Sequence, residues 1–83
     1  KYFNIICDNP EPICHFIVHV LKRSATVCEA QGAFTHGKKA IVFTALKRPQ
    51  AMALRQFVRA TEPNAFILIS NTSEIIGKGF LNS

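Results

Sequence analysis

With 83 residues, 48% hydrophobic and 18% charged, the chain makes one small domain, and this composition excludes a disordered tail. Ten Lys and Arg against five Asp and Glu give a formal charge of +5, which favours anionic partners such as nucleotides, phosphorylated ligands, nucleic acid or lipid headgroups. The cations are dispersed from Lys1 to Lys78 and read first as solvated surface, and no stretch reaches the roughly 18 apolar residues of a membrane span.

The first apolar run, Tyr2 to Cys7, is β-branched or aromatic in most positions and ends at Asp8-Asn9-Pro10, which predicts a strand closed by turn chemistry. A helix follows, with Asp8 or Asn9 as its cap, Pro10 and Pro12 tolerated in the first turn and Glu11 at the positive end of the dipole. Ile13, Cys14, Phe16, Ile17, Val18, Val20 and Leu21 fill more than half its circumference and leave His15, His19, Lys22 and Arg23 on a narrow polar strip. Such a helix is expected to be covered on more than one side.

Residues 25–30 read as a weaker strand leading into a nine-residue hairpin connection, residues 31–39. Residues 40–46 make a strong third strand, apolar on both faces and therefore central. After Lys47-Arg48-Pro49 a second helix sets Ala51, Leu54, Phe57, Val58 and Ala60 on one face and Arg55, Gln56 and Arg59 on the other. Thr61-Glu62-Pro63-Asn64 breaks it, and residues 65–70 form the fourth strand.

Strand, helix, strand, strand, helix, strand is the βαββαβ plan of ferredoxin-like α+β folds, with two helices on one face of a four-stranded antiparallel sheet. In that plan the fourth strand lies at an edge. Its Phe66 and Leu68 point opposite to Ile67 and Ile69, so the edge is apolar on both faces. Tyr2, Ile6, Val42 and Leu46 are expected to add to the face that the helices leave bare, which reads as aliphatic. An uncovered apolar edge predicts a homo-oligomer through the sheet face and residues 65–69.

Arg23-Ser24-Ala25-Thr26, Gly32-Ala33-Phe34-Thr35 and above all Glu62-Pro63-Asn64-Ala65-Phe66 with Ser73-Glu74-Ile75-Ile76-Gly77-Lys78-Gly79-Phe80 carry a resemblance. From Phe3 to Phe80 the chain resembles the C-terminal soluble domain of unknown function in YitT-type bacterial membrane proteins. The family has Gly where Ser24 stands and a Gly directly after the position of Thr35, where this chain has His36. The resemblance implies a ferredoxin-like domain, related in shape to nitrogen-regulatory PII proteins, on the cytoplasmic face of the bacterial cell membrane. It also implies that the piece is excised from the C-terminus of a longer membrane protein, in keeping with a chain that opens at Lys1. Membrane contact is then expected only through the missing N-terminal part.

The hairpin residues Gly32, Thr35, Gly37, Lys38 and Lys39, with Gly77, Lys78 and Gly79, are the candidate anion site. Glycines let amides converge on an oxyanion and lysines add charge, in the manner of a PII effector loop. Neither GxxxxGK[ST] nor GxGxxG occurs, so anion binding here rests on composition and analogy; no cofactor is expected, and the expected ligand class is an anionic metabolite or nucleotide. His15 and His19 stand four apart, a spacing that suits a metal, but two ligands do not complete a site and surface histidines are the plainer reading. Cys7, Cys14 and Cys28 lack CxxC spacing and read as reduced thiols of a cytosolic protein. No thiol has a base placed beside it and the five acids show no paired spacing, so catalysis is not expected. Nucleic acid is not expected either, because residues 40–43 lack the ring-presenting pattern of RNA-recognition sheets. The sequence thus points to a regulatory or ligand-sensing domain of a membrane protein, with a structural oligomerisation domain as the alternative.

Overall fold

The computed structural model describes residues 1–34 and 36–71. Strand β1 (Tyr2–Cys7) is followed by helix α1 (Glu11–His15), which continues as a π-helical stretch over Phe16–Val20. Strands β2 (Thr26–Gln31) and β3 (Lys38–Ala45), helix α2 (Arg48–Thr61) and strand β4 (Phe66–Ser70) complete the order. The sheet is antiparallel in the order β2-β3-β1-β4, so β1 and β3 are central and β4 is an edge. This is the ferredoxin-like arrangement that the element order predicts.

Alternation along the central strands builds the core. Phe3, Ile5 and Cys7 of β1 and Ala40 and Val42 of β3 are buried on the helix side against Ile13, Ile17, Leu54 and Val58. Phe16 and Phe57 stack between the helices, with ring centroids 4.3 Å apart and planes inclined by 11°.

Several expectations need correction. Val42 and Leu46 are fully buried in the core and do not belong to the open face. Register decides this: Val42 pairs with Ile5, so Ile41 and Phe43 are the β3 residues that face away from the helices. Because Tyr2, Phe43 and Phe66 share that open side, it is aromatic as well as aliphatic. Finally, α1 and its π stretch are covered on one side alone, since Ile13 and Ile17 are buried while Val18 and Val20 are exposed.

The π stretch ends in a wide cap. Leu21 N–H donates to the Phe16 carbonyl at 3.0 Å, and Arg23 N–H to the Ile17 carbonyl at 3.0 Å, one residue wider than the usual Schellman closure. Lys22 adopts φ 58, the left-handed conformation such a cap needs. The chain then turns inward, which removes Arg23 from the polar strip: it is buried, its Nε donates to the Ala45 carbonyl at 3.4 Å, and burial lowers its pKa. Beside it Thr44 Oγ1 donates to the Ser24 carbonyl at 2.8 Å. Residues 23 and 24 of the resemblance motif therefore fasten the α1–β2 connection to β3.

No side chain of Asp8 or Asn9 caps α1 as its N-cap. That position belongs to Pro10, and Asn9 Oδ1 accepts from Glu11 N–H at 3.3 Å. Gln50 serves both helices, accepting from Lys47 N–H at 3.0 Å at the start of α2 and donating to the Leu21 carbonyl at 3.2 Å.

Candidate functional site

The β2–β3 ladder ends at the pair Gln31 and Lys38, and residues 32–37 close the hairpin. Gly32 N–H donates to the Gly37 carbonyl at 2.9 Å, and His36 N–H to the Gly32 carbonyl at 2.8 Å. The amides of Gly32 and His36 are therefore engaged inside the loop, and an anion here would meet side chains rather than these two groups. His36 adopts φ 58, where glycine sits most easily. Gln31 Nε2 donates to the His36 carbonyl at 3.3 Å and lies 3.4 Å from His36 Nδ1, which anchors the loop from the strand side.

Lys38 and Lys39 open β3 instead of ending the loop, so strand alternation sends them to opposite faces. Lys38 is exposed. Lys39 Nζ lies 2.6 Å from Asp8 Oδ1, and this hydrogen bond and the Asp8 charge raise its pKa. Asp8 also lies beside the end of α2: its N–H donates to Glu62 Oε2 at 2.7 Å, and Asn9 N–H donates to Glu62 Oε1 at 3.2 Å. One carboxylate thus ties the β1–α1 turn to the C-terminal end of α2.

Between that turn and the β2–β3 ladder lies a cleft of about 710 Å³ whose polar lining includes Asp8, Glu29, Gln31, His36, Lys38 and Lys39. It exists because the helices cover the middle of the sheet and leave β2 bare: Val27, on the helix side, is 44% exposed. The cleft carries both signs of charge. With Lys39 joined to Asp8, Lys38 and His36 form its basic edge.

The remaining sequence candidates are not all brought here. Gly77, Lys78 and Gly79 lie outside the described residues, as does Thr35. His15 and His19 are exposed on the α1 side, with ring centroids 4.5 Å apart and planes inclined by 39°. Among the described residues no group of three or more His, Cys, Asp or Glu is placed to hold a metal. The cysteines are free: Cys28 is exposed, Cys14 half-buried with its pKa raised by burial, and Cys7 fully buried with its thiol 3.8 Å from the Ala40 carbonyl. Burial first, then the charge of Glu62, pushes the Cys7 pKa up to about 11.

Sequence reasoning missed the roles of Asp8, Glu62 and Gln50. Glu62 stood in the most specific motif, but its partners lie more than fifty positions away, and no local pattern reports such a contact.

The open sheet face is the second feature. Phe66 and Leu68 of β4 are 68% and 52% exposed, and Tyr2 and Phe43 stack with centroids 6.3 Å apart. Asn4 lies among them, its Oδ1 buried without a hydrogen-bond partner among the described residues.

Sheet order, helix placement and hairpin define a small ferredoxin-like α+β domain. The family model described as "Uncharacterized protein conserved in bacteria (DUF2179)" matches residues 23–77, and the chain belongs to that family. Across 82 residues it is 32% identical to UPF0750 membrane protein YdeO of Bacillus subtilis, covering 99% of this chain and 28% of the relative. It is 29% identical over 76 residues to the uncharacterized protein in the cccA 5' region of Bacillus sp. PS3, covering 92% of this chain and 51% of that one. The chain spans about half or less of the length of these relatives. The crystal structure of an uncharacterized DUF2179 protein from Eubacterium ventriosum superposes with a TM-score of 0.63, covering 84% of this chain and 99% of that one. At 17% identity this likeness concerns the fold. Relatives such as YdeO and YxkD are membrane proteins, and no helix among the described residues here is long and apolar enough to cross a bilayer.

Proposed function

We propose that this domain is a non-enzymatic regulatory module of a YitT-type membrane protein, placed at its C-terminus on the cytoplasmic side, and that copies of it assemble through the open sheet face. The exposed Phe66 and Leu68 beside the Tyr2–Phe43 stack carry this reading, because an apolar face whose edge strand has no outer partner among the described residues gains from being covered. The unpartnered Asn4 oxygen supports it, since a buried acceptor left unpaired costs about 1–3 kcal/mol and a turned amide could recover that across an interface. In the PII-like form of this mechanism, an anionic metabolite or nucleotide enters the hairpin cleft on the Lys38 and His36 side and changes what residues 32–37 contact. Nucleic acid has no place in this reading.

A purely structural assembly domain is the second reading. It is favoured by the internal bonds of the Gly32 and His36 amides and by the Asp8–Lys39 pair, all of which leave less of the hairpin available to an anion. Light scattering at micromolar concentration tests what the two share: an oligomer is expected, and a clean monomer overturns both. Thermal shift with nucleotides and phosphorylated metabolites separates them. The sensor gains stability with ligand and loses that gain on Lys38→Ala/Lys39→Ala, whereas the structural domain shows no shift.

A further inference from the structure

The outer face of α2 collects cations that are scattered in the sequence. Arg48, Met52, Arg55 and Arg59 follow at steps of four, three and four residues, which at about 100° per residue holds them within an arc of about 60° over about 16 Å of helix. All four are exposed. The helix contains no Asp or Glu, and among the described residues none of the three guanidiniums has a carboxylate partner. The fold sends the described acids elsewhere: Asp8 pairs with Lys39, Glu62 holds the Asp8 and Asn9 amides, Glu11 begins α1 and Glu29 lines the hairpin cleft.

Two shallow grooves flank Met52, which is 57% exposed. One, of about 200 Å³, is lined by Met52, Arg55, Gln56 and Arg59. The other, of about 280 Å³, brings Lys1 to the same side as Arg48 and Arg55. Unopposed guanidiniums around headgroup-sized hollows, on a convex helix face with one flexible apolar side chain between them, match a plane of phosphates better than a single soluble anion. The relatives' membrane parts would hold such a face close to a bilayer, which makes even weak attraction effective.

We propose that the Arg48–Arg55–Arg59 face of α2 docks on anionic phospholipid headgroups, with phosphates in the two grooves and Met52 resting between them. The domain then has a fixed orientation to the bilayer, and its open sheet face and hairpin cleft remain free. This docking stands whether or not the cleft binds a ligand.

Sedimentation of the 83-residue chain with phosphatidylcholine vesicles, with and without about 30 mol% phosphatidylglycerol, tests it; each cation at an anionic surface contributes about fivefold in partition. At low salt the chain is expected on the anionic vesicles only, and added salt releases it. Arg55→Gln/Arg59→Gln is expected to lower partition about 25-fold. Lys22→Gln/Lys38→Gln, which removes the same net charge from other surfaces, is expected to lower it no more than about fivefold. Equal losses from the two doubles overturn the proposal, as does equal binding to neutral vesicles or no binding to the anionic ones. Capture of an RNA oligonucleotide by these same arginines without vesicle partition also overturns it.

Discussion

Glu62→Ala removes the acceptor of two amides, Asp8 N–H at 2.7 Å and Asn9 N–H at 3.2 Å. Hydrogen bonds to a charged acceptor contribute about 1.5–3 kcal/mol each, but Asp8 and Asn9 are exposed and water replaces part of the loss, so about 2 kcal/mol in total is expected. In a domain of 83 residues that lowers the melting temperature by about 10 °C. Glu62→Gln keeps one acceptor oxygen and turns an NH2 group toward the second amide, so its cost is about half as large. Circular dichroism melts measure both variants, and amide hydrogen exchange reads Asp8 and Asn9 directly. An alanine variant melting within about 2 °C of the parent, or unchanged protection of those amides, would refute the assignment of Glu62 as the tie between α2 and the β1–α1 turn.

Two further outcomes follow from backbone and burial. Lys22 is exposed at φ 58, so Lys22→Gly is expected to stabilise the domain by about 0.5–1 kcal/mol and Lys22→Val to destabilise it by about 1 kcal/mol; urea melts check both, and a stabilising valine would sink the cap described for the π stretch. The folded-state pKa of Cys7 lies near 11 against an ordinary 9.0, so its contribution is complete below pH 9 and is lost as pH rises toward 11, by on the order of 2–3 kcal/mol. Urea midpoints at pH 8 and pH 10.5 should fall more steeply for the parent than for Cys7→Ala, and parallel slopes would contradict the burial argument. In the same samples at pH 8 a thiol reagent should modify exposed Cys28 and leave Cys7 untouched until the chain unfolds.

The sequence made the element order legible because each element satisfies its own periodicity. The β-branched and aromatic run of β1 and the turn chemistry at residues 8–10 located that strand, and the two-sided apolar character of β3 correctly made it central. The same two-sidedness hid which half of β3 faces the helices. Periodicity cannot choose between Val42 and Phe43 when both are apolar; the register that sets Val42 opposite Ile5 makes the choice. The extra residue in the π stretch likewise shifted the helix surface, so the wheel drawn at 100° per residue placed Arg23 outside when the cap turns it in.

The hairpin was legible as a hairpin, but its chemistry was not. Gly32 and the two lysines suggested a cradle of amides and charge, whereas the loop uses the Gly32 and His36 amides for its own closure and Asp8, from another strand end, engages Lys39.

By itself, then, the chain determined a βαββαβ domain with an apolar edge at residues 65–69, since propensity, alternation and turn residues act over a few positions. The tertiary structure alone decided which charges pair and which stand together. Asp8, Lys39 and Glu62 meet across long stretches of sequence, and Lys1 is brought beside the helix face that carries Arg48 and Arg55, with no acid opposite them among the described residues. Coulomb forces depend on distance in space, and only the packing of α2 on the sheet sets those distances.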